Sequence, residues 1–352
     1  GSIDITADGA GTGTYSWSPG TELNATTGAT VTSTPTADIS YTVTGTDANG
    51  CVNVATSNIT VSGNAPINAG GDVTICLTDI TTLSATGGLT YSWDNGLGAG
   101  NDFDVSPGIG TTTYIVTGID ASGCSGTDQV DVTVDPLPTA TISGAADVCI
   151  GDTDPIITFS GANGTAPYTF TYTLNGGANQ TIVSTGNDAT ITVSTAADGS
   201  FSYDLVSVDD ASSTICSQVQ AGNATVVVNP LPSATISGTA DVCIGDTDPI
   251  ITFTGANGTA PYTFTYTLNG GANQTIVSTG NDATITVSTA IDGSFSYDLV
   301  SVEDASTTAC SQAQTGNATV VVNPLPTAII AGTTDVCIGG ADPIVTFTGA
   351  NG

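Results

Sequence analysis

The chain has 352 residues, among them 32 Asp and Glu and no Lys, Arg or His, for a formal net charge of −32. Without a cation to set against phosphate, it has no means of binding nucleic acid or an anionic lipid surface. Ser-His-Asp and Cys-His sites and lysine Schiff bases are equally out of reach. Of the common mechanisms only two-carboxylate chemistry is left, and no enzyme is expected.

Hydrophobic residues make up 39% of the chain and charged residues 9%, the reverse of a disordered composition. No apolar run reaches 18 residues, so no helix is expected to insert into a membrane.

In chain order, residues 1–63 form a short module whose N-terminal part is missing, and 64–135 a complete short module. Tyr15-Ser16-Trp17 recurs as Tyr91-Ser92-Trp93, and Gly45-Thr46-Asp47-Ala48-Asn49-Gly50-Cys51 recurs, with two changes, as Gly118–Cys124. A long repeat, 136–229, opens on Pro136-Leu137-Pro138. It returns at 230–323 with 9 differences in 94 positions and begins again at 324–352. Both ends fall inside a module, which reads as an excerpt of a longer array.

Within the long repeat, Tyr168, Phe170, Tyr172 and Leu174 alternate with Thr169, Thr171 and Thr173, the period of a half-buried strand. Asn175-Gly176 follows as a hairpin turn. Thr190–Val193, Phe201–Leu205 and Ala224–Val228 are the next strands, and Asn229-Pro230-Leu231-Pro232 is a stiff hinge. About seven short strands per module, divided by Gly, Asn and Asp turns, predict an all-β tandem array of immunoglobulin-like sandwiches forming an extended rod.

Each complete module holds two cysteines, one near its start and one before its last strand. This predicts the bonds Cys76–Cys124, Cys149–Cys216 and Cys243–Cys310, with Cys51 and Cys337 left for partners outside the excerpt. Close Cys-x-x-Cys pairs and His are absent, so zinc is not expected. Structural disulfides imply an oxidising, extracellular setting.

Asp147-Val148-Cys149-Ile150-Gly151, Gly164-Thr165-Ala166-Pro167-Tyr168-Thr169-Phe170, Tyr203–Val208 and the short-module run Tyr41–Cys51 resemble PKD-like and gliding-adhesin tandem repeats. The resemblance covers nearly the whole chain. It implies sandwich domains of giant surface proteins of Bacteroidota, exported by type IX secretion, with a role in adhesion, gliding or matrix.

Two ligand readings remain beside the structural one. Asp152 and Asp154, with Asp246 and Asp248, would hold calcium weakly on loops near a junction, or serve as turn residues. Trp17 and Trp93 would form a sugar platform, or pack in a core. No other cofactor is expected. The expected partners are other repeats of the same chain, identical chains in a filament, or surface glycans bound weakly at each repeat. The leading expectation is a stalk or filament segment of a large adhesin, and the alternative a multivalent binding array.

Overall fold

The computed structural model describes residues 1–332 and 334–350, and every regular element among them is a β-strand. Two compact units, Gly1–Asp135 and Pro136–Gly352, are built of tandem immunoglobulin-like sandwich modules.

In the first long repeat, Thr139–Ser143, Ile156–Ala162 and Asp188–Thr192 form a three-stranded sheet. It faces a five-stranded sheet ordered Ala146–Cys149, Ser217–Asn229, Gly199–Asp209, Thr169–Leu174, Gln180–Val183. Ile157 and Phe159 of one sheet meet Phe170, Tyr172, Leu205, Val208 and Val226 of the other in a single core. The rings of Phe159 and Phe170 stack at 5.7 Å. Fully burying one such side chain contributes about 1.5–3 kcal/mol. Threonines 169, 171 and 173 take the outer face of the same strand, as the alternation predicts. Asn175 and Gly176, at φ 52° and 66°, supply the paired positive angles of a type I′ turn. The second long repeat has the same topology and an equivalent core.

Two neighbouring strands of the five-stranded sheet define the ends of the repeat. Ala146–Cys149 runs parallel to the last residues of Ser217–Asn229, with Cys149 opposite Asn229. Cys149 is therefore at the distal end, where the chain leaves the repeat. Cys216 precedes the first residue of that strand and sits at the proximal end. The strand has 13 residues, so about 40 Å of extended backbone separates the two ends.

In the first unit, Val73–Cys76, Ser125–Asp135, Gly110–Ile119, Thr90–Trp93 and Gly98–Ala99 form one sheet of the complete short module. Thr81–Ser84 and Asp102–Val105 form the sheet opposite. Val73–Cys76 again runs parallel to the end of the last strand, Cys76 facing Asp135. In the preceding module Ile3–Thr6 pairs with Thr30–Ser33, and Ile39–Thr46 pairs with both Thr14–Ser18 and Val52–Ile59. Trp17 and Trp93, 4% and 3% exposed, are core residues. Of the two readings of these residues, packing in a core is the one found, because the strand alternation turns both indoles inward.

Candidate functional site at the repeat junction

Each first cysteine ends a short strand and is fixed by the aspartate three residues on. Asp152 Oδ2 accepts from the Cys149 backbone N–H at 2.8 Å, and the Asp152 N–H donates to Cys149 O at 3.1 Å. Asp154 Oδ1 accepts from the N–H and the hydroxyl of Thr195, both at 2.9 Å, and that hydroxyl also reaches Asp152 O. Asp246, Asp248 and Thr289 repeat the arrangement around Cys243. In the third copy Gly340 stands where Asp152 would be. The four aspartates weighed as calcium ligands thus fasten the turn after a cysteine. Among the described residues, no group of three or more His, Cys, Asp or Glu side chains is placed to hold a metal.

Each second cysteine sits on a loop anchored by another aspartate. Asp210, 5% exposed, accepts from the Ser212 hydroxyl at 2.6 Å and from the backbone N–H groups of Cys216 at 2.9 Å and Thr165 at 3.0 Å. Burial pushes its carboxyl up, but the Ser212 hydroxyl and these backbone donors together hold it below the ordinary carboxylate value. A Cβ on Gly164 would lie 2.8 Å from the Asp210 carboxylate, so glycine is needed for the two loops to close. Asp304 anchors the Cys310 loop through Thr259 N–H at 2.9 Å and the Ser306 hydroxyl at 2.6 Å. In the short modules, Asp47 and Asp120 accept from Cys51 N–H at 2.8 Å and Cys124 N–H at 3.0 Å. The N–H groups of Cys51 and then Asn49 lower the Asp47 carboxyl. An Asp four or six residues before the second cysteine of every module was the available signal.

The two kinds of loop meet between the long repeats. Cys149 at the distal end of the first is disulfide-bonded to Cys310 at the proximal end of the second, across 161 residues, with Cα atoms 5.7 Å apart. The Thr307 hydroxyl donates to the Asp147 carboxylate. The Asn229 amide donates to the same carboxylate and, at 3.3 Å, to the Thr308 hydroxyl. That hydroxyl lies 3.5 Å from Cys149 Sγ and 3.4 Å from Cys310 Sγ. Cys149 and Cys310 are 9% and 1% exposed.

The disulfides expected within modules are therefore corrected. Cys149 and Cys310 bond to each other, leaving neither Cys149–Cys216 nor Cys243–Cys310, and Cys243 and Cys124 are free thiols, as are Cys51 and Cys337. Neither Cys76 nor Cys216 is a free thiol. The reason is distance. Within one module the two cysteines lie at opposite ends of a strand of 11 residues in the short module and 13 in the long, whereas a disulfide needs Cα atoms within about 7 Å.

No family model matches the chain, and no curated protein does. Distant likeness is found among solved structures. A calcium-stabilised adhesin with which an Antarctic bacterium binds ice is 16% identical at TM-score 0.35, covering 92% of this chain and 94% of that one. A tetra-tandem repeat from the extending region of a large adhesion protein is 14% identical at 0.34, covering 88% and 91%. The titin I-band fragment I67–I69 is 10% identical at 0.40, covering 72% and 96%. Likeness at this level carries no inference about function.

Proposed function

We propose that the chain is a load-bearing segment of an extracellular stalk, in which sandwich repeats are stapled end to end by disulfides. One observation carries this reading. The Cys149–Cys310 bond joins the distal end of one long repeat to the proximal end of the next, so tension crosses the junction without passing through residues 150–309. Both cores lie largely inside the closed loop and are shielded from the pull.

Composition supports the reading. No nucleophile–base pair with His or Lys is available, which suits a non-enzymatic role. Persistent disulfides suit an oxidising exterior. Without lysine there are no amine-based crosslinks, which leaves cysteine as the means of joining modules covalently. The resemblance to PKD-like and gliding-adhesin repeats fits a giant surface protein of Bacteroidota exported by type IX secretion, with any target-binding domain elsewhere in the protein.

Stretching single molecules from the two termini tests this. In the oxidised chain, a sequence separation of 161 is withheld from extension, roughly 560 Å at about 3.5 Å per residue step, and reductant should release it. Equal extension before and after reduction would show that the junction carries no covalent load.

A further inference from the structure

The distal end of the second long repeat duplicates that of the first, yet among the described residues it is left exposed. Residues 240–249 are identical in sequence to 146–155. The Asn323 amide donates to the Asp241 carboxylate and to Val242 O, as Asn229 does to Asp147 and Val148. Asp246 fastens Cys243 as Asp152 fastens Cys149, each at 2.8 Å. Only the covering differs. Cys149 is buried and Asn229 half-buried beneath the Cys310 loop, whereas Cys243 and Asn323 are exposed and Cys243 is a free thiol.

We propose that Asp241, Cys243 and Asn323 form a covalent docking site for the second-cysteine loop of the repeat that begins at Pro324 in the same chain. Continuity with the occupied junction points to this occupant. Asn323-Pro324-Leu325-Pro326 repeats the hinge Asn229-Pro230-Leu231-Pro232. Beyond the hinge, Thr327 faces Ala350 in the register that Ser233 keeps with Ala256. A repeat launched through the same hinge presents its loop to the same place. That loop has the form hydroxyl-Thr-x-Cys, as in Thr307-Thr308-Ala309-Cys310 and Ser213-Thr214-Ile215-Cys216. Its first hydroxyl donates to Asp241, its threonine accepts from Asn323, and its thiol bonds to Cys243. Bond formation is thiol–disulfide exchange with a small-molecule disulfide: the two protein thiols lose two electrons and two protons, and the reagent leaves as two thiols. The proposal rests on the junction geometry and not on the load-bearing role.

The test is the full chain extended after Gly352 by a copy of residues 259–323, which completes the third repeat, incubated with oxidised glutathione. Thiols are alkylated after denaturation without reductant, and the chain is then cleaved before aspartate. The pentapeptides 147–151 and 241–245 have one sequence, so half of that pool is alkylated in the present chain. None should be alkylated in the extended chain. In the extended chain carrying Cys243→Ser, the added second cysteine should become alkylated. The proposal is overturned if half the pool stays alkylated while the Cys149–Cys310 bond is intact in the same sample. It is equally overturned if Cys243 instead links two chains, or if the added cysteine stays protected in the Cys243→Ser variant.

Discussion

At the scale of single residues, aspartate does the work that salt bridges do in other chains. Asp152, Asp246 and Asp210 each accept from the backbone N–H of a cysteine, and Asp304 accepts from the Thr259 N–H beside the Cys310 loop, so the acidic excess is partly structural. Asp210 has the most to lose. Its carboxyl is held below the ordinary value in the folded state, so the stability it contributes is present above the unfolded value near pH 3.9. That contribution is lost as pH falls through the lower, folded value. Asp210→Asn should lower stability by about 1–3 kcal/mol at neutral pH and flatten the acid limb of melting temperature against pH. An unchanged acid limb would mean that other carboxylates set it. Because Asp152 and Asp154 already hold turns, we expect millimolar calcium to raise the melting temperature no more than NaCl of equal ionic strength does. A calcium-specific rise would give these loops a second role.

At the scale of elements, the long last strand decides the connectivity, and it shows where sequence reading succeeded and failed. Tyr168 to Leu174 and the turn at Asn175-Gly176 were legible because alternation and positive-φ residues are written locally. Ala224–Val228 was legible as a strand for the same reason, since Ala224, Val226 and Val228 are buried. Residues 217–223 extend that strand but have no buried face, and Val219 is 83% exposed. Hydropathy therefore hid half of the element. The full strand of 13 residues puts Cys216 at the opposite end of the repeat from Cys149. The even cysteine count per module was legible too, but it fits bonding across a junction as well as within a module. The aspartate locks were unreadable as such because Asp suits any turn, and only contacts 45 residues apart, such as Thr165 to Asp210, reveal the cradle.

At the scale of the whole molecule, charge and crosslinking act together. A net charge of −32 with no opposing side-chain cation makes neighbouring modules repel, screened over about 8 Å at physiological salt. The Cys149–Cys310 bond holds the facing ends of the two long repeats together against that repulsion. The central claim is the head-to-tail bond, and a disulfide map of the Cys243→Ser chain tests it most directly. After non-reducing cleavage before aspartate, peptide 304–334 should remain linked to Asp147-Val148-Cys149-Ile150-Gly151, the only cysteine-bearing source of that sequence left. Finding 304–334 unlinked, with 147–151 joined instead to the Cys216 peptide 210–240, would contradict the account and return the bonds to the interior of each repeat.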